Sequence, residues 1–243
     1  MAEPAPLLAL EGVAVAFGGV QALDGLDLTV RPEEIVGVIG PNGAGKTTAL
    51  NVASGLVRAD AGTVRLDGED LRRVSATDRA RRGMGRTFQT PHLFPGMTLL
   101  ENLEVTARQR RRAADATDPA HALRITGLSD QAAHDVQHLA AGQRRFAEIA
   151  RALVLAPRIL LLDEPGTGLR EREIDDLAAI VRQLRTQSGI ASVIISHDMR
   201  LVHDACDRVV VVDEGRTLAE GTPEEISRNE AVVRAYFGDE VPT

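Results

Sequence analysis

The sequence is short of aromatic residues, cysteine and lysine. Its 243 residues include no tryptophan, one tyrosine and five phenylalanines, so a hydrophobic core must be built from aliphatic side chains. Cys206 is the one cysteine, which excludes an internal disulfide and fits a reducing cytoplasm. Lysine occurs once, at position 46, although lysine and arginine together number 28. A chain that uses arginine everywhere else has a reason to keep one lysine.

The sequence also lacks a long apolar run and an excess of positive charge. No apolar stretch approaches the roughly 18–20 residues that a membrane helix needs, so we predict no membrane-spanning segment. The formal net charge of −7 provides no general attraction to nucleic acid, and we expect no nucleic-acid partner. The length and the 44% hydrophobic content suit one large α/β domain.

Apolar patterning predicts strands that alternate with helices. Residues 7–17 and 26–30 alternate as half-buried antiparallel strands do, whereas the apolar runs at 34–40, 158–165 and 191–196 predict buried strands. Strands that are apolar on both faces and separated by helices indicate a parallel sheet covered on both sides. We also predict strand-and-turn segments at 62–70 and 208–216, and helices after Lys46, at 76–82, 143–155, 172–188 and 199–206, and in two short segments after Pro223.

A helical run interrupts this alternation. Its pattern is helical from Leu99 to about Ser129, with a looser polar stretch at 113–120, and continues through Gln143–Leu155. We therefore predict one domain over 1–243, with a core formed by about 1–98 and 156–243 and an inserted helical subdomain at about 99–155. The arginines at 79–82 and 108–112 are interpreted as solvated helix faces.

The one lysine lies in the segment GPNGAGKTT, which joins a buried strand to a helix. Strand, Gly-x-x-x-x-Gly-Lys-Thr and helix together form the phosphate-binding loop pattern. Its glycines let backbone N–H groups turn inward around an anion, and the helix N-terminus adds its dipole. Lysine brings a compact charge to the β- and γ-phosphates, where the planar fork of arginine fits poorly. The predicted phosphate-binding residues are Gly40, Pro41, Asn42, Gly43, Ala44, Gly45, Lys46, Thr47 and Thr48.

Two acidic residues follow a second buried strand. Asp163 and Glu164 lie at the carboxyl end of a predicted parallel strand, the edge at which ligands bind in open sheets. Asp163 is suited to hold Mg²⁺ through water together with the hydroxyl of Thr47, and Glu164 to take a proton from an attacking water. The predicted fold is therefore an α/β P-loop NTPase with a mainly parallel sheet and an N-terminal antiparallel β subdomain, and the predicted ligands are ATP and Mg²⁺.

Between these motifs lies LAAGQRRFAEIARAL, at residues 139–153. Here the sequence resembles the ATP-binding cassette (ABC) family, whose signature is usually Leu-Ser-Gly-Gly-Gln on the helical insert. The resemblance covers essentially the whole chain and implies an ATPase that energises a membrane transporter. It also implies that Ala140, Ala141, Gly142 and Gln143 contact the ATP held by a second cassette, either the same chain or a related one.

Further matches imply roles for isolated residues. Phe17 matches the aromatic residue that stacks on adenine, Gln89 the glutamine that senses Mg²⁺ and the attacking water, and His197 the histidine that contacts the γ-phosphate. Residues 166–170 match the loop that touches the opposite subunit. The transmembrane permease subunits are implied to lie near Gln89.

The segments RTFQ, ENL, HDM and RAYFG resemble one ABC subfamily, the ATP-binding subunit of branched-chain and hydrophobic amino-acid uptake systems. This resemblance implies a peripheral subunit on the cytoplasmic face of the membrane, which a periplasmic or extracellular solute-binding protein serves indirectly. Three positions depart from the pattern: Ala140 replaces serine, Ala141 replaces glycine, and Arg170 stands where aspartate or asparagine is usual. Gly142 and the helix N-terminus still offer N–H groups to a phosphate.

Other functions are open at this point. An importer ATPase for another small solute, such as urea or amides, would share all these motifs. A low-turnover nucleotide-binding switch is favoured by the changes at Ala140 and Arg170. A cassette of nucleic-acid repair or translation usually carries long coiled coils or two cassettes, which this chain lacks. A kinase with the same phosphate-binding loop would not need the LAAGQ segment or the IISHD segment around His197.

Overall fold

The strands form two β-sheets in the part of the chain that the computed structural model describes, residues 5–109 and 117–237. They are β1 (Leu8–Phe17), β2 (Val20–Val30), β3 (Ile35–Ile39), β4 (Ala61–Leu66), β5 (Glu69–Asp70), β6 (Met84–Arg86), β7 (Ile159–Asp163), β8 (Ala191–Ile195), β9 (Arg208–Asp213) and β10 (Arg216–Gly221). One sheet has the order β2-β1-β4-β5 and is antiparallel. The other has the order β10-β9-β3-β8-β7-β6 and is parallel except for the β9–β10 pair.

The helices follow the predicted alternation. They are α1 (Lys46–Ser54), α2 (Ala76–Arg81), α3 (Leu99–Ala107), α4 (Pro119–Ile125), α5 (Ala141–Leu153), α6 (Glu171–Ser188), α7 (Met199–Ala205), α8 (Pro223–Ser227) and α9 (Glu230–Phe237). Within the described ranges, no helix is long and apolar enough to cross a membrane. The polar stretch predicted at 113–120 lies partly outside the described residues. Its last part begins α4, because Asp118 Oδ1 accepts the N–H of Ala120 at 3.2 Å and Pro119 occupies the first turn.

Two hydrophobic layers cover the larger sheet. Successive residues of β3 alternate between them: Ile35 and Ile39 pack on the side of α5, α6 and α7, and Val36 and Val38 on the side of α1 and the antiparallel sheet. Every residue of β3, β7 and β8 is buried. Such strands are expected in a parallel sheet that is covered on both faces. The predicted α/β class, with a mainly parallel sheet and an N-terminal antiparallel sheet, is confirmed.

Three strands differ from the predictions. β2 begins at Val20 and not at 26, because a bulge at Gly25, whose φ is 79°, interrupts the alternation. The sequence predicts a turn at the start of β10, but the segment continues as an edge strand whose residues are alternately exposed and half-buried. β6 has three residues, which is too few for a period to be seen.

Arg79 corrects the interpretation of 79–82 as a solvated face. Its side chain is 5% exposed and lies against the end of α1. Nη1 donates to the carbonyl oxygens of Val52 and Ala53, each at 2.7 Å, and Nη2 donates to that of Leu71 at 2.6 Å. One guanidinium therefore donates to two carbonyl groups in the last turn of α1, of which that of Val52 also accepts the N–H of Gly55 at 3.1 Å, and it joins α1 to the segment before α2.

We predict that Arg79→Met lowers the free energy of unfolding by about 3 kcal/mol, because buried carbonyl groups lose their donors. The measurement is urea unfolding followed by circular dichroism. The matched control is Arg82→Met, which removes an exposed pair with Glu69 and is expected to change stability by less than about 1 kcal/mol. Equal effects of the two substitutions would contradict the structural role of Arg79.

Candidate functional site

The phosphate loop connects β3 to α1, and two of its glycines lie close to the backbone of other strands. A Cβ atom on Gly40 would lie 2.0 Å from the carbonyl oxygen of Val212 in β9. A Cβ atom on Gly45 would lie 2.4 Å from the carbonyl oxygen of Ala22 in β2, and Gly45 has a φ of 102° that favours glycine. Both glycines are therefore required for the loop to pack between the two sheets.

Lys46, the first residue of α1, turns its side chain back under the loop. Its Nζ donates to the carbonyl oxygens of Gly40 at 2.7 Å and Pro41 at 2.8 Å. Burial lowers the pKa of Lys46, and the charges of Glu164 and Asp163 oppose this shift. A compact ammonium group fits between the two carbonyl oxygens and in range of both acids, as the sequence argument for lysine requires.

A cavity of about 250 Å³ lies beside the phosphate loop. It brings six of the nine predicted phosphate-binding residues together with two residues that are distant in sequence, Gln89 and Glu164. Gln89 enters from the loop between β6 and α3, and Glu164 from the end of β7. The cavity is lined by Ala22, Asn42, Gly43, Gly45, Lys46, Thr47, Thr48, Gln89 and Glu164.

Asp163 is buried at the end of β7, where it is 2% exposed. Its Oδ1 accepts the hydroxyl of Thr47 at 3.2 Å, and its Oδ2 accepts Nη2 of Arg86 at 3.3 Å. Burial raises the pKa of Asp163, and the charge of Arg86 and the Thr47 hydroxyl oppose the shift. Arg86 also donates to Oδ1 of Asn51 in α1 at 2.7 Å, so it links the acid to the helix that follows the phosphate loop.

Glu164 and His197 form a direct hydrogen bond. Nδ1 of His197 lies 2.7 Å from Oε2 of Glu164. The pair forms because β7 and β8 are parallel neighbours and the two residues follow their carboxyl ends. Glu164 has a φ of 51°, which is uncommon for a residue with a side chain and occurs often at functional sites.

The segment Ala140–Gln143 forms the start of α5. Ala140 has the extended conformation of an N-cap residue but no side-chain acceptor, while Oε1 of Gln143 accepts its N–H at 2.9 Å. Gly142 is packed against α6, where a Cβ atom would lie 2.3 Å from Oε1 of Glu173. Oε2 of Glu173 accepts the N–H of Arg170 at 2.8 Å. A side chain at 142 would therefore have to move the carboxylate of Glu173, which accepts the N–H of Arg170 at the start of α6.

The structure does not bring every predicted residue to the cavity. Phe17, at the end of β1, is 51% exposed, and neither it nor Ala140–Gln143 belongs to the cavity lining within the described residues. The predicted nucleotide contacts thus fall into two groups: one group surrounds the phosphate loop and the other lies elsewhere on the chain.

Sequence reasoning missed Arg86 and Tyr236. Arg86 stands in the quoted segment GRTFQ, and the charge inside this otherwise uncharged half-buried run is the signal that could have found it. On α9, Val232 is buried in the core and Tyr236 follows it by four residues, on the same helix face. Burial raises the pKa of the Tyr236 phenol, the backbone of Gly40 opposes this shift, and the charge of Glu164 adds to it. The single tyrosine of the chain therefore lies near the phosphate loop.

Comparison with known sequences decides the family. A family profile described as "ABC transporter" matches residues 23–167, which is more than half of the chain. The chain belongs to the ABC transporter family. A second profile, described as "Branched-chain amino acid ATP-binding cassette transporter", matches residues 216–242. The predicted family and subfamily resemblance are thus confirmed, and this ABC protein is an ATPase subunit.

Its relatives are ATP-binding proteins of similar length. The chain is 40% identical to the high-affinity branched-chain amino acid transport ATP-binding protein BraF of Pseudomonas aeruginosa, over 96% of the chain and 98% of the relative. It is 40% identical to LivG of Escherichia coli K12, which has the same description, over the same shares. The lipopolysaccharide export system ATP-binding protein LptB of Haemophilus influenzae is 37% identical over 96% of the chain and 98% of the relative.

Solved cassettes have the same fold. The ADP conformation of MJ1267, an ATP-binding cassette of an ABC transporter, superposes with a TM-score of 0.85 at 29% identity and covers 97% of this chain and 100% of that one. A dimeric post-hydrolysis state of the cassette MJ0796, bound to ADP and Pi, has a TM-score of 0.79 at 26% identity over 89% and 98% of the two chains.

We predict that Lys46→Ala abolishes ATP binding at micromolar nucleotide, because the chain has no other lysine. Lys46→Arg is expected to bind poorly too, since a planar guanidinium does not fit between the two loop carbonyl oxygens. Calorimetry on the isolated subunit measures both, and the exposed Arg58→Ala serves as a control that keeps parental affinity. Undiminished affinity of Lys46→Ala would show that the loop does not bind the phosphates.

We also predict that Ala140→Ser stabilises the protein by about 1 kcal/mol, because a hydroxyl at the N-cap can accept the N–H of Gln143. The control is Ala141→Ser, one residue inside the helix, for which no gain is expected. Urea unfolding measures both, and steady-state hydrolysis should change by less than about tenfold in Ala140→Ser. Equal stabilisation by both serines would rule out the capping explanation.

Proposed function

We propose that the chain hydrolyses ATP to energise a permease that imports branched-chain or other hydrophobic amino acids. The observation that carries this proposal is the branched-chain profile over residues 216–242, beside 40% identity to BraF along almost the whole chain. The chain is also 37% identical to LptB, which belongs to a lipopolysaccharide export system, so overall similarity does not distinguish between cargoes. The C-terminal match is what favours amino acids.

The phosphate loop is proposed to hold the ATP phosphates. The backbone N–H groups of the loop and the N-terminus of α1 face the cavity in which Lys46, Thr47 and Thr48 meet. Lys46 is proposed to bind the β- and γ-phosphates and Thr48 the α-phosphate. Phe17, half-exposed at the end of β1, is free to stack on the adenine ring.

The residues around Asp163 fit a magnesium ion. Mg²⁺ prefers hard oxygen ligands, and the Thr47 hydroxyl lies 3.2 Å from Asp163 Oδ1 at the wall of the cavity that Gln89 also lines. Thr47, Asp163 and Gln89 are therefore proposed to hold Mg²⁺, directly or through water. When bound, the ion neutralises charge on the β- and γ-phosphate oxygens. Nη2 of Arg86 donates to the second oxygen of Asp163 at 3.3 Å.

Glu164 is proposed to be the general base. Its carboxylate lines the cavity and lies within reach of a water beside the γ-phosphate. As this water attacks phosphorus, a carboxylate oxygen takes its proton and the bond to the leaving ADP oxygen breaks. The 2.7 Å bond to His197 holds the carboxylate in place and brings the imidazole to the γ-phosphate side.

The remaining contacts are proposed to come from a second cassette. Lys46 lines the cavity, whereas Ala140–Gln143 lie outside its lining at the start of α5, and Phe17 is proposed to share the nucleotide site of Lys46. In a head-to-tail pair, the N–H groups at the start of α5 would reach the γ-phosphate bound by the partner. Within each chain, about 99–155 is proposed to act as the helical subdomain that carries this segment.

The permease is proposed to dock on a groove beside α2 and α5. The groove encloses about 250 Å³. It is mainly apolar and reaches Phe88, the neighbour of Gln89, so a helical segment of a permease has a path to the nucleotide site. The subunit would then lie on the cytoplasmic face of the membrane as a peripheral protein. The lining residues are Ser54, Leu56, Ala76, Arg79, Ala80, Met84, Arg86, Phe88, Thr106, Arg151, Ala152 and Leu155.

The test is transport by the cassette reconstituted with its permease and binding protein in liposomes. We expect ATP-dependent uptake of leucine, isoleucine or valine, and none of urea. Glu164→Gln keeps shape but cannot accept a proton, so it should bind ATP, lose turnover by roughly 10²-fold or more and form a dimer in size-exclusion chromatography. Uptake of urea in place of amino acids would overturn the substrate class, and parental turnover of Glu164→Gln would overturn the assignment of the base.

A further inference from the structure

The backbone of the loop that carries Gln89 is hydrogen-bonded to side chains of two helices. We define the Gln89 loop as residues 88–98, between β6 and α3. The residue before it belongs to the sheet, because the N–H of Thr87 donates to the carbonyl oxygen of Leu161 in β7 at 3.0 Å. From Phe88 onward, the side chains that hydrogen-bond to the loop backbone come from α5 and α3, while Arg86 of β6 lies 5.1 Å from the centre of the Phe88 ring.

Glu148 makes the central attachment. It lies on α5, two turns after Ala140–Gln143, and is 1% exposed. Oε2 accepts the N–H of Phe88 at 3.4 Å and Oε1 accepts the N–H of His92 at 3.3 Å, so the carboxylate spans both sides of Gln89. From the same helix, Nη1 of Arg145 donates to the carbonyl oxygen of Phe88 at 3.2 Å.

Packing alone does not explain why a carboxylate, that of Glu148, is buried at this position. Burial raises the pKa of Glu148, and the N–H groups of His92 and Phe88 oppose the shift more than the charge of Arg151 does. The closest Arg151 nitrogen lies 3.8 Å away. A buried carboxylate is often no better for stability than an apolar side chain of similar size. The hydrogen bonds of Glu148 to the N–H groups of Phe88 and His92 indicate instead that the carboxylate holds the loop backbone.

A second attachment holds the far end of the loop. Asn102, on α3 and fully buried, accepts the N–H of Phe94 at 2.7 Å and donates to the carbonyl oxygens of Phe94 at 3.2 Å and Thr98 at 3.0 Å. Both ends of the loop are therefore bound to helices of the insert. Lys46, Asp163 and Glu164 lie on the sheet side of the cavity.

We propose that Glu148 is a positioning residue that couples the Gln89 loop to α5. The carboxylate thereby fixes the backbone on both sides of Gln89 relative to α5, so the position of the Gln89 side chain in the cavity depends on Glu148. The attachment to α5 begins at Phe88, earlier than the boundary at Leu99 that periodicity indicates. The catalytic consequence rests on the role proposed for Gln89, whereas the attachment itself does not.

Hydrogen–deuterium exchange on the intact subunit tests the attachment without any turnover. Glu148→Gln keeps volume but replaces one acceptor oxygen by a donor, so amides at 88–92 should exchange about tenfold faster. Amides of α5, α4 and the phosphate loop should not change. Thr126→Val, at another buried position of the insert, is the matched control and should leave 88–92 unaffected. Arg145→Gln should loosen the same amides, which keeps the test decisive if Glu148→Gln does not fold.

A double-mutant cycle with Gln89→Ala tests the consequence. If Glu148 acts through Gln89, the double variant should hydrolyse ATP no more slowly than Gln89→Ala alone. Unchanged exchange at 88–92, exchange that rises equally throughout α5, or fully additive losses of kcat would each overturn the proposal. Lack of hydrolysis by the parental chain would refute the proposed function but leave the exchange result valid.

Discussion

The level ends of three parallel strands determine the geometry of the nucleotide site. Val38 of β3 and Asp163 of β7 both pair with Ile195 of β8, so the three strands reach the edge of the sheet together. The phosphate loop, Glu164 and His197 each follow this line directly. A register slip of one residue would turn every side chain to the opposite face, which would separate Glu164 from His197. Chemistry at this edge therefore depends on backbone pairing deep in the core.

The parts of the site that could be predicted from the sequence are each formed by consecutive residues. The phosphate loop and the Asp163–Glu164 pair are each a strand followed by polar residues, so local patterning suffices to locate them. The contacts that it missed join distant segments: Arg86 and Asp163 are 77 residues apart, and Glu148 and Phe88 are 60 apart. Charged residues in a helical pattern indicate solvent, and only packing shows that Arg79 and Glu148 are buried. The domain bounds and the roles of the site residues stay predictions.

The unusual signature has a steric explanation. Ala140 and Ala141 are exposed in the single chain, so a methyl group at either position meets nothing within it. Gly142 is buried against Glu173, whose carboxylate would have to move to admit a side chain. The retained glycine and the altered positions thus follow the space available between α5 and α6. The same contact ties the start of α5 to the loop that ends at Arg170, whose N–H is held by Glu173.

The position of Tyr236 beside Gly40 has a spectroscopic consequence. Because the chain contains no tryptophan, its ultraviolet emission comes from this one phenol, with phenylalanine contributing little. Tyr236 is 40% exposed, and its phenol lies near the backbone of Gly40 and the charge of Glu164. Rearrangement of the phosphate loop alters all three conditions at once. The unlabelled protein thus contains a native fluorophore at its nucleotide site, and the family-specific C-terminal segment is what places it there.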